Sequence, residues 1–143
     1  MKGFGKKKNP QKGTKNKNKN YKVIIDKALD LHRAGKTIEA SKYYQELLDM
    51  GINDSRIFIN YGLINRQTGK IQIAKELYLK SINLFPKEVD AYTNLSYLFK
   101  STKEFNKAKE YANKAIKIKP DFIPAYLNLA EALKELGQIE ETE

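Results

Sequence analysis

Apolar side chains recur along most of this chain at the spacing expected for amphipathic helices. A first run begins at Tyr21 and ends before Gly35, and a second ends before Gly51. Apolar residues three and four positions apart share one face of a helix, and glycine commonly follows a helix end. The same pattern continues down the chain. It predicts seven helices, over about residues 21–34, 37–50, 55–68, 71–84, 89–101, 105–118 and 123–136.

The predicted helices fall into units of 34 residues, with unit boundaries at 21–54, 55–88 and 89–122 and a partial fourth unit at 123–143. Four kinds of marker residue keep this step: prolines, alanines, small residues and aromatic residues, namely Pro86 and Pro120; Ala40, Ala74 and Ala108; Ala28, Gly62, Ser96 and Ala130; Phe58, Tyr92 and Tyr126. A fixed period of this length is typical of stacked helical repeats, in which neighbouring units complete each other's core. The sequence therefore predicts an all-α solenoid of antiparallel helix pairs.

Details of the helix boundaries follow from single residues. Thr37 is a suitable N-cap for the second helix, and Pro86 and Pro120 end helices because proline cannot continue them. Gly137 is expected to end the seventh helix. Lys103 stands where the other units have a glycine between their two helices.

These markers resemble the tetratricopeptide repeat signature, in which aromatic, small, alanine and proline residues stand at set offsets. The second unit carries it as Phe58, Gly62, Ala74, Tyr78 and Pro86. The resemblance covers residues 21–143 and implies a superhelix in which the first helix of each unit lines a concave, ligand-binding groove. Gly62 and Ala74 would allow the two helices of a unit to approach closely.

Two residues depart from that signature, and each departure carries an expectation. Ser96 replaces the glycine of the third unit, and its hydroxyl is expected to bond to a carbonyl of its own helix. Lys27 replaces an apolar residue in the first unit, which predicts a polar outer face there.

The net charge of +10 lies mainly in the N-terminal tail. Residues 1–20 contain eight lysines and no acidic residue, whereas the rest of the chain has a net charge of +2. Because this segment has few apolar side chains, we predict a disordered, Lys-rich tail over residues 1–20. It is either a solubilising leader or a basic arm for nucleic acid or anionic lipid.

One row of the expected groove is rich in asparagine: Asp26, Asn60, Asn94 and Asn128. An amide donates and accepts, so such a row can hold a peptide backbone without reading its sequence. The row resembles the asparagine ladder of O-linked N-acetylglucosamine transferase repeats, and Asn94 and Asn128 also keep that family's Asn-Leu pair. The hypothesis places the amides on a face that is free of core packing. The alternative is an ordinary solvated face.

Two further rows complete the expected groove. A basic row of His32, Arg66, Lys100 and Lys134 would favour acidic peptides or would simply complement helix dipoles. An apolar group would lie beside it, with its members either partly covered by neighbouring units or forming shallow pockets for ligand side chains; it consists of Ile25, Ile59, Thr93, Leu127, Leu29, Leu63 and Tyr97. A chaperone-binding carboxylate clamp is not supported, because Ile25 and Leu29 replace its lysine and asparagine.

The composition argues against catalysis. There is no cysteine and only one histidine, His32. The chain shows no paired nucleophile and base, no phosphate loop and no metal-ligand spacing, and Glu131 and Glu135 are interpreted as an exposed helix face. We therefore expect no enzyme activity, no cofactor and no metal within these residues. No apolar run is long enough to cross a membrane, and we expect a cytoplasmic location.

Three functions remain open on the sequence alone. The first is a protein-interaction scaffold that binds an extended peptide or protein, either neutral or acidic, in the groove. The second is the substrate-recognition part of a longer glycosyltransferase-like, sulfotransferase or methyltransferase protein, because the pattern stops near Glu143, just after a first helix. The third is nucleic-acid binding through the basic tail. The 34-residue period and the prolines argue against pentatricopeptide RNA readers, whose period is about 35 residues.

Overall fold

The computed structural model describes the backbone of residues 11–142, and the side chains of residues 20–138 and 140. Seven helices and no strands occur in that backbone: α1 Gln11–Arg33, α2 Thr37–Asp49, α3 Ser55–Gln67, α4 Ile71–Leu84, α5 Val89–Ser101, α6 Phe105–Ile118 and α7 Ile123–Thr142. They are paired along the chain as α1 with α2, α3 with α4, and α5 with α6, and α7 packs on α6 and α5. The predicted all-α fold of seven helices is confirmed.

The chain divides into two compact units. The first unit ends at Ile52 and contains α1 and α2, and the second unit, Asn53–Glu143, contains α3 to α7. In the second unit a continuous apolar core runs from α4 through α5 to α6 and α7. Its buried members are Ala74, Tyr78, Leu95, Leu98, Phe99, Ala108 and Ala132.

The turn inside each helix pair repeats the same hydrogen bonds. The amide of Lys36 donates to the Leu31 carbonyl and that of Gly35 to the His32 carbonyl, which is a Schellman motif. The motif needs a left-handed residue, and Gly35 supplies it with a φ of 75°. In the third unit Lys103 adopts this conformation, with a φ of 61°. The turn geometry therefore survives the loss of glycine, although a side chain makes it less favourable.

Gly62 lies at a close helix crossing, as its spacing predicts. A Cβ atom added at this position would stand 2.5 Å from Cε1 of Tyr78, on the facing helix α4. At the equivalent place in the next pair, Ser96 donates from its hydroxyl to the Ala108 carbonyl on α6 at 2.7 Å. The expected bond within its own helix is therefore wrong: the hydroxyl instead joins the two helices of the pair, because it points at the partner backbone where they cross.

The helix boundaries differ from the sequence expectation at three places. Helix α1 begins at Gln11, whereas the sequence places the first helix from Tyr21; half of residues 11–20 are lysine or glutamine, which favour a helix, although the others do not. Residues 1–10 lie outside the described residues, and disorder there stays a prediction. Lys36, not Thr37, is the N-cap of α2, without a side-chain bond.

Gly137 does not end α7, which continues to Thr142. The other mid-unit glycines have a positive φ, but Gly137 does not, and nothing packs within 4 Å of its added Cβ. Glycine within a helix costs only about 0.5–1 kcal/mol relative to alanine. The glutamine and glutamates that follow it favour a helix, so the helix runs through.

Candidate functional site

The predicted groove residues are collected on the first helices of the second compact unit. Helices α3 and α5 are in contact, and so are α5 and α7. We use the term inner face for the groove positions on these three helices: Ile59, Asn60, Leu63 and Arg66 of α3; Asn94, Tyr97 and Lys100 of α5; Leu127, Asn128, Glu131 and Lys134 of α7. Asp26, Ile25, Leu29 and His32 belong to α1 in the first unit.

The asparagines differ in what their amides do. Asn60 donates to the Arg56 carbonyl of its own helix at 2.8 Å. Asn128 is 7% exposed and donates to the Thr93 carbonyl of α5 at 3.1 Å. Asn94 is half-buried. The described part of the chain gives no hydrogen-bond partner for its side chain. Of the three amides, that of Asn94 is therefore the one that can meet a ligand without first breaking a bond.

The idea that all three amides face solvent is wrong for Asn128. It is buried because α7 packs directly on α5 at this level, and its amide satisfies a carbonyl across that contact. This bond is part of the helix stacking. Asn128 therefore stabilises the fold, and any role in binding a backbone would compete with that bond.

Two basic residues of the inner face gather on one aromatic ring. The Arg66 guanidinium carbon lies 4.1 Å from the Tyr97 ring centroid, and the Lys100 Nζ lies 4.7 Å from it. Tyr97 nevertheless remains 43% exposed. Cations are attracted to the negative face of an aromatic ring. The ring therefore holds side chains from α3 and α5 in place while leaving an apolar surface open.

Lys100 also reaches across to α7, where its Nζ forms an ion pair with Glu131. The side chain of Lys100 is 18% exposed and that of Glu131 is 58% exposed. Lys134 is exposed on the same helix. The basic row is thus partly neutralised, because one of its three members in this unit already has a carboxylate partner.

The apolar residues that were predicted to line the groove differ in how far they are buried. Ile59 and Leu63 are half-buried, whereas Leu127 is 60% exposed. Ile25, which was predicted to belong to the same row, is fully buried. It serves the core rather than a groove. The open apolar surface of the inner face therefore lies mainly at Tyr97 and Leu127.

Helix α1 of the first unit exposes both charged and apolar side chains. Lys27 lies with its Nζ 4.9 Å from the Tyr43 ring centroid. A hydrogen bond and electrostatic attraction to Tyr43 raise the pKa of Lys27. Val23, Asp26 and Lys27 help to line an open cavity of about 470 Å³, and all three are exposed. Lys27 is exposed, as the sequence predicts, but Val23 is 66% exposed as well, so this surface is not uniformly polar.

A buried tyrosine lies behind the inner face. Burial raises the pKa of Tyr78 to about 12, and the positive charge of Arg66 opposes this shift. The hydroxyl is buried without a partner in the described part of the chain. Tyr78 therefore stays neutral over the physiological range, where it acts as a packing residue against Gly62.

Glu131 is a functional candidate that the sequence analysis did not propose. It is exposed, as its spacing from Glu135 indicates, and the structure also pairs it with Lys100, 31 residues away. The signal was present in the sequence, because Glu131, Tyr97 and Leu63 keep the step of 34 residues and so share one groove position. An acidic residue at a groove position next to a basic row predicts such a pair.

Clusters of metal ligands and membrane-spanning helices are both absent from the described residues. These residues contain no group of three histidine or acidic side chains placed to hold a metal ion. Within the same part of the chain, no helix combines the length and the apolar character that a membrane span requires. What the inner face offers is an open aromatic ring, an unengaged amide and several cations.

Solved structures of similar fold were found at low sequence identity. The first repeat domain of Spaghetti (RPAP3), bound to the HSP90 peptide SRMEEVD, has a TM-score of 0.77 and 17% identity, covering 82% of this chain and 93% of that one. The MamA protein has a TM-score of 0.78 and 24% identity, covering 89% and 69%. An O-GlcNAc transferase mutant from Thermobaculum terrenum has a TM-score of 0.73 and 20% identity, and the match covers 79% of this chain and 22% of that one. At these identities the likeness shows the fold.

Family models give the sequence evidence. No curated protein is similar enough to be matched to the chain. One tetratricopeptide repeat model matches residues 55–88 and 89–122, and a second matches residues 111–143. The two units matched by the first model have the bounds that the 34-residue period gives, whereas the second match begins at residue 111, within the predicted third unit. With the helix pairs, the close crossing at Gly62 and the similar solved structures, this shows that the chain belongs to the tetratricopeptide repeat family.

Proposed function

We propose that this protein is an interaction scaffold that binds an extended peptide segment of a partner protein along the inner face. The observation that carries the proposal is Asn94, a half-buried amide with no bond to the rest of the described chain, one turn from the exposed ring of Tyr97. The amide can bond to a peptide backbone, and the ring can cover a side chain. The similar repeat domain bound to an HSP90 peptide supports the proposal, because this fold accommodates a peptide.

The test compares Asn94→Ala with Asn106→Ala. Asn106 is an exposed asparagine on α6, outside the inner face. Peptides selected from a random phage-displayed library against the parent protein would be titrated against both variants. We expect Asn94→Ala to lose about 0.5–1.5 kcal/mol of binding free energy for each hydrogen bond removed, while Asn106→Ala binds like the parent. Equal binding by all three proteins would remove Asn94 from the site.

Asn128 is left out of this test for a structural reason. Removing its amide would break the bond from α7 to α5. A loss of binding would then be confounded with a change in helix packing. Melting temperatures of Asn94→Ala and Asn106→Ala are expected to stay near that of the parent, because neither side chain bonds to another helix.

Within this proposal the chain acts by binding, without catalysis of its own, and its location in the cytoplasm remains a prediction. The substrate-recognition role in a longer transferase is tested by reading the gene beyond Glu143. The nucleic-acid role of the tail is tested by deleting residues 1–20, which carry all eight of its lysines. Salt-dependent adsorption that disappears on deletion would assign it to the tail.

A further inference from the structure

The ion pair between Lys100 and Glu131 differs from the surrounding surface pairs. Pairs such as Lys107 with Glu104 and Lys114 with Glu110 join residues three or four positions apart. Lys100 and Glu131 instead belong to α5 and α7, and they meet on the inner face. The lysine side chain is largely covered, because it also lies beside the Tyr97 ring. The position of its ammonium group is therefore fixed by two partners.

The other two basic side chains of the inner face are not paired with a carboxylate in the described part of the chain. Arg66 is over the Tyr97 ring, and Lys134 is exposed on α7. The middle cation of the row is thus neutralised by an internal carboxylate, while the two flanking cations keep their charge available.

A cavity opens beside the pair. Its volume is about 570 Å³, and it lies between the end of α5, the start of α6 and α7. Three lysines and two glutamates line it together with a serine and a phenylalanine: Lys100, Lys103, Lys134, Glu131, Glu135, Ser101 and Phe105. Ligand side chains fit in cavities of this size, and the surplus of lysine favours an anionic group.

We propose that Glu131 occupies the place of a ligand carboxylate on Lys100, and that an acidic side chain of the bound peptide displaces it. The inference rests on the proposed peptide-binding function and adds the chemistry of the ligand and a control over it. In the free protein Glu131 satisfies Lys100, so the inner face is not left with an unpaired, partly buried cation. In the complex Glu131 swings to solvent, to which more than half of its side chain is already exposed.

The exchange has a measurable consequence for selectivity. When one carboxylate replaces another on the same ammonium group, the electrostatic gain is small. The parent protein should therefore prefer acidic over neutral peptides only weakly. Removing the charge of Glu131 leaves Lys100 free to pair with the ligand, which should increase this preference. The effect should weaken as salt rises, because exposed charges are screened.

The experiment uses two capped probe peptides of about eight residues, long enough in extended form to span roughly 26 Å. One alternates glutamate with leucine, and the other alternates glutamine with leucine. Affinities for the parent and for Glu131→Gln are measured by fluorescence anisotropy at low and high salt. The matched control is Glu135→Gln, which removes the same charge from the same cavity wall without breaking the Lys100 pair.

We expect Glu131→Gln to bind the glutamate peptide about two- to fivefold more tightly than the parent, which corresponds to the strength of an exposed ion pair. Glu135→Gln should change that affinity less than about twofold, since it adds only a weak, screened charge effect. In the Lys100→Gln background, Glu131→Gln should no longer tighten binding of the glutamate peptide by more than Glu135→Gln does.

Two other outcomes would overturn the inference, and they can be told apart. If the glutamine peptide binds but Glu131→Gln and Glu135→Gln have equal effects, the scaffold function stands and Glu131 is not a competitor. If neither peptide binds any of the proteins at the inner face, the proposed function itself fails. Melting curves of the variants verify that each one is folded.

Discussion

Helices α5 and α7 occupy the same place in successive units and carry the same kinds of residue, but they differ in burial. Tyr92 of α5 is 9% exposed, and its counterpart Tyr126 of α7 is 44% exposed. Phe99 is buried, whereas Leu133 is 48% exposed. The cause is α6, which packs on α5 and covers Phe99 with the Tyr111 ring at 5.4 Å. In the described residues α7 has no such second helix.

The difference shows that the repeat pattern specifies an apolar helix surface suited to packing. Whether that surface is buried depends on whether a neighbouring helix covers it. Local contacts are kept in both helices. Tyr92 donates to the Pro86 carbonyl at 2.8 Å, and Tyr126 donates to the Pro120 carbonyl at 2.6 Å. These bonds need only the preceding turn. Burial of the small and large residues on the same face requires a partner helix.

The largest expected effect comes from replacing the equivalent large residues of α5 and α7 with alanine. Phe99→Ala should lower the free energy of unfolding by about 3–5 kcal/mol, because it removes a buried aromatic ring and leaves a cavity. Leu133→Ala should change it by less than about 1 kcal/mol, because the side chain is half exposed. Chemical denaturation followed by circular dichroism measures both. Similar losses would mean that α7 is covered in solution.

A second test places a larger side chain at equivalent small residues of the repeat. Gly62→Leu should destabilise the protein by roughly 1–3 kcal/mol or more, since any Cβ at Gly62 meets the Tyr78 ring. Ala130→Leu is the matched change on α7, where the side chain is exposed, and should stay within about 0.5 kcal/mol of the parent. An unchanged melting temperature for Gly62→Leu would contradict the close crossing.

A third test concerns the hydroxyl bond that joins α5 to α6. Ser96→Ala should cost about 0.5–1.5 kcal/mol, because it removes a buried hydrogen bond between the two helices. Ser101→Ala is the control, since that hydroxyl bonds within its own helix, to the Leu98 carbonyl. Thermal melts of the two variants should separate them. If both melt alike, the bond across the pair contributes no net stability.

The smallest expected effect comes from removing the hydroxyl groups of Tyr92 and Tyr126. Tyr92→Phe should cost about 0.5–1 kcal/mol, because it removes a part-buried bond. Tyr126→Phe should cost less, since water can replace the bond at its exposed position. Urea titrations of the single variants give the difference. A larger loss for Tyr126→Phe would show that the turn before α7 depends on this bond more than burial suggests.

Much of the fold follows from the sequence because its causes are local. The 34-residue step, the helical spacing of apolar residues and the turn residues predict seven helices in pairs. The end of α7 was predicted too early, because glutamine and glutamate after Gly137 favour a helix and carry it past the glycine. The partners of the candidate-site side chains were not predicted, because bonds such as that of Asn128 to Thr93 and that of Lys100 to Glu131 depend on contacts between helices.

The sequence by itself determined which residues share a repeat position, because propensity and spacing act within a unit. Only the tertiary structure decided the partners that lie a unit apart. Asn128 bonds to α5 across 35 residues, and Lys100 pairs with Glu131 across 31. Ser96 reaches α6 rather than its own helix. Each outcome depends on which helices meet and at what distance, and packing of the stacked pairs sets both.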